Sequence, residues 1–181
     1  MVDGIVAPVL AVANVDGVEQ VNFQVPFEAA GRLAASVVVS RDGAASIPAR
    51  VAVLELQPAV YTVDGTQAIV VHNADYTLAT AAKPLVGGEY AFLYVTGLGR
   101  VTNQPATGAA APVSPLAEAL ADVRLTLAGR PCEIQYKGLA PALAGVYQVN
   151  FRVPPNVPGG SQDLALSAGA AAAPVVKVPV Q

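Results

Sequence analysis

Gly145-Val146-Tyr147-Gln148-Val149-Asn150-Phe151-Arg152-Val153-Pro154 is the stretch on which the reading of the fold turns. Tyr147, Val149, Phe151 and Val153 alternate with Gln148, Asn150 and Arg152, the period of two that sends one set of side chains into a core and the other to water. Pro154 ends the strand because it has no N–H for a ladder. Gln20-Val21-Asn22-Phe23-Gln24-Val25-Pro26 says nearly the same thing 128 positions earlier, counted from Val21 to Val149 (149 − 21 = 128). Val21, Phe23 and Val25 are thereby expected to take the inward places that Val149, Phe151 and Val153 take later.

Working outward, the rest of the chain reads as short strands and turns. Val6 to Val12, Glu19 to Val25, Leu33 to Ser40 and Ala49 to Leu56 are the expected strands before Pro58, with Arg41-Asp42-Gly43 turning the last two into a hairpin. Beyond it come Gln67 to His72, a brief Tyr76 to Ala79, Glu89 to Thr96, Val123 to Leu127, Cys132 to Lys137, Gln162 to Ser167 and Val175 to Val180. Glu89 to Thr96 is apolar on both faces, the pattern of a central strand. Val101 to Pro115, rich in Gly, Ala and Pro, reads as a long loop. Ser114-Pro115 is placed to open one helical turn through Glu118 and Ala121.

The echo extends beyond the opening stretch. Gly4-Ile5-Val6-Ala7-Pro8 lines up with Gly129-Arg130-Pro131-Cys132-Glu133, and Ser46 to Val51 with Ala172 to Lys177. Residues 1–56 therefore correspond to the second half of a unit running over 57–181, which has the strand number and spacing of a β-sandwich. Half a sandwich leaves an apolar face uncovered and a strand edge unpaired. The second unit folding back, a neighbouring chain donating strands, or upstream sequence would complete it. Four inward side chains of a donated strand are worth roughly 6–12 kcal/mol.

Composition narrows the function classes. Hydrophobic residues make up 54% of the 181 and charged residues 13%, against about 25% charged in an average domain. A net charge of −3 gives no basic footprint for nucleic acid. The apolar run Ile5 to Val15 is too short to span a bilayer. With Asp3 where a signal peptide carries a basic residue, the run reads as strand rather than as a targeting segment. Cys132 is alone, so it forms no intrachain disulfide and reads as an inert buried thiol.

Candidate chemistry is sparse. His72 is the one histidine, and no nucleophile motif accompanies it. Asp16, Asp42, Asp64 and Asp75 sit in turns, where Asp bonds its own backbone, and their spacing lacks a calcium-loop signature. Gly97-Leu98-Gly99 reads as a strand-ending turn, with no helix after it to hold a phosphate. Tyr90, Phe92 and Tyr94 would make a carbohydrate platform if exposed, although the apolar strand that bears them favours core or interface. No catalytic residue, cofactor or metal is expected.

Leu143-Ala144-Gly145-Val146-Tyr147-Gln148-Val149 resembles the strand-F signature of immunoglobulin domains, with Val149 where the cysteine stands. The resemblance implies a tyrosine corner at Tyr147. Val21 to Pro26, Pro58 to Thr62, His72 to Asp75, Tyr94 to Gly99, Ser114 to Ala117 and Gly145 to Asn150 resemble, in order, the blocks of the uncharacterised C-terminal repeat domain of Solibacter-type acidobacterial secreted proteins. That likeness implies tandem immunoglobulin-like β-sandwich modules, exported and attached to larger surface or secreted proteins. The expectation is thus an all-β chain, with an incomplete module at 1–56 and a complete one at 57–181. It would serve as a non-enzymatic structural or adhesion module, extracellular or on the cell surface. Its partners would be other protein chains, through self-association, or surface glycans. The alternatives are a filament subunit assembled through the incomplete module and a carbohydrate-binding module.

Overall fold

The computed structural model describes residues 1–181, an all-β chain with no α-helix and one 3-10 turn at Phe27–Ala29. Residues 1–56 carry β1 (Val9–Val15), β2 (Val18–Phe23), β3 (Ala34–Val37), β4 (Ser40–Arg41), β5 (Ala44–Ala45) and β6 (Ala49–Ala52). They pair antiparallel as three small sheets, β1-β2, β3-β6 and β4-β5.

The remainder builds two five-stranded sheets. β7 (Ala59–Val60), β8 (Val70–His72), β9 (Tyr90–Thr96), β12 (Glu133–Leu139) and β13 (Tyr147–Arg152) form one. β9 is central, with β13 along one edge and β7 and β8 along the other. β10 (Val123–Leu127), β11 (Arg130–Pro131), β14 (Gly160–Ala168), β15 (Ala171–Ala172) and β16 (Val176–Val180) form the other, in which β14 is flanked by β10 on one side and by β15 and β16 on the other.

The inward residues of both sheets meet in one core of 27 buried residues. The alternation read in the opening stretch is what fills it. Tyr147, Val149 and Phe151 are buried while Gln148 and Asn150 are half-buried and Arg152 is exposed. Leu93 and Val95 of β9, Leu125 and Leu127 of β10, and Leu164 and Leu166 of β14 meet them in the same core. The arrangement is sandwich-like, two antiparallel sheets covering each other's apolar face.

Several local expectations are corrected. The segment after Ser114-Pro115 is extended, not helical: Ala117 and Ala119 are buried while Glu118 and Leu120 are exposed, a period of two that a helical turn would not give. Ala119 donates its N–H to Lys137 O at 2.9 Å. Tyr76 to Ala79 contributes a single bridge, Val71 to Leu78, rather than a strand. The first strand runs Val9–Val15 rather than from Val6, because Asp16 and Gly17, both at positive φ, set the turn and hence its length.

Residues 1–56 make, in the same order, contacts that residues 126–181 also make. β1-β2 pairs Val9 with Phe23 and Ala11 with Asn22, skipping one residue. β12-β13 pairs Ile134 with Phe151 and Tyr136 with Asn150, with the skip in the same place. Gln20 Nε2 donates to Asn22 Oδ1 at 2.7 Å, as Gln148 Nε2 does to Asn150 Oδ1 at 2.7 Å. Val2 bridges Val37 and Ile5, as Leu127 bridges Leu164 and Arg130. Asp3 and Gly4 turn at φ 47° and 80°, Ala128 and Gly129 at φ 50° and 72°. Ser46 N donates to Val39 O at 2.8 Å and Ala173 N to Leu166 O at 2.9 Å. This last bond sets Ser46 against Ala173, one position from the alignment read in the sequence, which set Ser46 against Ala172.

Candidate interaction surface

What the two sets of contacts do not share is cover. Val21, Val39 and Val51 are 37%, 49% and 43% exposed, whereas their counterparts Val149, Leu166 and Val178 are 0%, 2% and 0% exposed. Val25 is exposed and its counterpart Val153 is buried. Phe23 is half-buried against the small cluster of Val2, Ala29 and Ala35, while Phe151 is fully buried. The expectation that Val21, Phe23 and Val25 sit in a core like that of Val149, Phe151 and Val153 is therefore corrected. Their register is the same and their setting is not. The cause is physical: nothing in residues 1–56 occupies the places that β9 and most of β10 take beside β13 and β14. Only five of the 56 residues are buried, Val2, Gln24, Pro26, Ala29 and Ala35.

The open edge can be assigned residue by residue. A two-residue turn joins β1 and β2, making Val15 and Val18 a hydrogen-bonded pair, and the pairs alternate from there. Gln20 and Asn22 therefore point their backbone groups at β1, and Gln24 N continues the series by donating to Pro8 O at 2.9 Å. Glu19, Val21 and Phe23 point theirs outward, where β2 has no neighbouring strand. Val12, opposite Val21 in the register, extends the exposed apolar face. Arg41 bonds Glu19 at 2.9 Å at the rim, with both side chains exposed, an ion pair of little energetic weight.

Residues 1–56 are nonetheless fixed to the rest of the chain. Gln24, buried, accepts the N–H of Gly108 at 2.9 Å through Oε1. Thr107 Oγ1 accepts Phe27 N–H at 3.0 Å and donates to Glu28 Oε2 at 2.7 Å, which holds the Glu28 carboxyl below its usual range. A cleft of about 290 Å³ lined by Phe27, Glu28 and Gln104 to Thr107 lies along this seam. Gln57 N donates to Gly97 O at 3.0 Å. Gly97, at φ +73°, lies so close to the entering chain that an added Cβ would stand 1.8 Å from Gln57 O. Sequence reasoning did not single out Gln24. Its signal was there, since the counterpart position holds the exposed Arg152.

The side chains with chemical potential are spent on structure. His72 is buried; its Nδ1 lies 3.1 Å from both Glu89 carboxylate oxygens and its Nε2 3.2 Å from Lys83 O. Asp75 accepts from Lys83 Nζ, Thr77 Oγ1 and Thr77 N, and the Lys83 ammonium foremost holds its carboxyl far below the usual range. Asp64 accepts the N–H groups of Thr66 and Gln67 at 2.9 and 2.7 Å, closing its own turn. Cys132 is half-buried, and desolvation pushes its thiol up to about 12, away from the reactive thiolate. No three His, Cys, Asp or Glu side chains converge.

Tyr147 does bond backbone through its hydroxyl, but the acceptor is Gly99 O, just past the end of β9. That corrects the expected tyrosine corner, whose acceptor lies a few residues upstream on the same connection. The bond ties β13 to the turn that ends its neighbour, and burial pushes the phenol up to about 12.

Tyr90, Phe92 and Tyr94 share the outer face of β9. Phe92 is buried beneath them, meeting Tyr94 edge-on at 5.6 Å and Tyr76 tilted at 6.2 Å. Rings set against one another in this way shield the sheet and do not lie in one plane, as a flat sugar-stacking platform requires. Compared with protein-family models, curated proteins and solved structures, the chain matches none.

Proposed function

We propose that this chain is a non-enzymatic structural or adhesive part of an extracellular or cell-surface bacterial protein, built from immunoglobulin-like modules of which 57–181 is complete and 1–56 is the second half of another. One observation carries the reading. The same bulge, the same Gln-x-Asn side-chain bond and the same hairpin registers occur twice in one chain, the pattern of serial modules that act by spacing and contact. The extracellular location is proposed on the resemblance to secreted repeat domains alone. Brief protease treatment of intact cells that make the protein, followed by an antibody against 57–181, tests it. Loss of signal without lysis is expected, and full protection of the epitope until the envelope is broken would overturn it.

A second reading, self-association into a filament, is favoured by the exposed apolar side chains of residues 1–56, which exceed what a solvated face of this size needs. Light scattering between 1 and about 100 μM, a range spanning typical transient affinities, tests it. A mass that grows with concentration is expected on this reading, and a constant monomer mass ends it.

A further inference from the structure

We propose that the outward edge of β2 is a strand-acceptor site whose occupant is an apolar strand of the β9 type, carried on a segment like residues 57–125. This deepens the modular reading above and rests on it. The register follows from the chain itself. β13 pairs Tyr147 with Val95, Val149 with Leu93 and Phe151 with Ala91. The same positions in β2 are Glu19, Val21 and Phe23, whose N–H and C=O groups face outward with no strand beside them. An incoming antiparallel strand thus meets three residues already spaced for it, the β-augmentation mode in which main-chain bonds hold the strand and alternate side chains select it. Selection comes from the exposed Val21, Val39 and Val51, which call for inward residues of the Leu93 and Val95 kind. A second edge agrees. β10 pairs Thr126 with Ala165 and Leu127 with Leu164, and Met1 and Val2 already hold the corresponding places beside Val38 and Val37. An occupant with a strand like the first part of β10 would therefore end beside Val39, next to the place that Met1 holds.

The test adds residues 57–125 directly ahead of Met1 of the full chain and follows amide hydrogen exchange by NMR, with light scattering alongside. The amides of Glu19, Val21 and Phe23 are expected to become at least about 100-fold better protected, in a particle that remains monomeric. Val21→Pro in the extended protein, which removes the N–H that would donate to the Leu93 carbonyl of the added strand, is expected to abolish that gain. The same substitution in the unextended chain leaves folding unchanged, because that N–H has no partner there. Unprotected amides in an extended protein whose original 57–181 unit remains folded would overturn the proposal. So would a gain that survives Val21→Pro, or protection already present in the unextended chain through a dimer that pairs two β2 edges. None of these outcomes depends on where the protein resides, so the acceptor site and the extracellular role fail separately.

Discussion

Truncating Phe151 and Phe23 to alanine, one at a time, separates register from burial. Phe151 is 0% exposed and belongs to the 27-residue core. A buried phenyl ring removes about 150 Å² or more of apolar surface from water, worth about 4 kcal/mol at 25 cal/mol per Å². With the residual cavity the expected cost of Phe151→Ala is about 3–5 kcal/mol. Phe23 holds the matching place beside Val9, yet it packs only on a cluster of three small buried residues, Val2, Ala29 and Ala35. Part of its ring is already wet and its neighbours can settle into the space, so Phe23→Ala should cost about 1 kcal/mol. The chain has no tryptophan, so urea unfolding is followed by tyrosine fluorescence and far-UV circular dichroism, with slopes compared before midpoints. Phe151→Ala is expected to lower the main transition, and Phe23→Ala to leave it nearly in place while speeding cleavage within 1–56. Equal costs at the two positions would refute the reasoning, because they would mean that Phe23 has cover equal to that of Phe151.

Three further outcomes follow from particular contacts. Tyr147→Phe leaves Gly99 O without its donor and should cost about 1–2 kcal/mol. The buried phenol, raised from 10.0 to about 12, contributes stability that is fully present below pH 10 and lost as the pH rises through about 12, so alkaline denaturation should be shallower in the variant. Gln24→Ala strips the acceptor from Gly108 N–H and should raise exchange at that amide while the melting of 57–181 moves by a degree or two at most. Gly97→Ala drives a Cβ into Gln57 O at 1.8 Å from a positive φ; displacement of the 55–58 strap, seen as new proteolytic cleavage there, is the expected result.

The all-β class was legible because alternation is local. Tyr147 to Val153 states its own period, and both the Asp42-Gly43 hairpin and the centrality of β9 follow from residues adjacent in sequence. Less legible were features that depend on which strands meet. Val21 and Val25 look like core residues by their own pattern, and only the match of residues 1–56 to the later half of 57–181 announced that an apolar face there lies uncovered, as it does. The acceptor of the Tyr147 hydroxyl, 48 residues away, was out of reach of any local pattern. The helical turn expected from Ser114-Pro115 through Glu118 and Ala121 rested on proline's fitness for a first helical position, whereas bridges from Glu118 to Gly138 and from Ala119 to Val101 hold the segment extended. The seam at Gln24 was hidden in plain view. Its counterpart is an arginine, and the difference between equivalent positions marks one of the places where residues 1–56 touch the rest of the chain, beside the bonds of Phe27 and Glu28 to Thr107.

Native-state amide exchange of the unaltered chain, read at Glu19, Val21 and Phe23 against Tyr147, Val149 and Phe151, tests most directly the claim that one arrangement occurs twice, once sheltered and once open. The account predicts that the later three exchange only through global unfolding, and that the earlier three exchange near the rate of free peptide in a monomeric sample. Comparable protection of both trios in the monomer would contradict it.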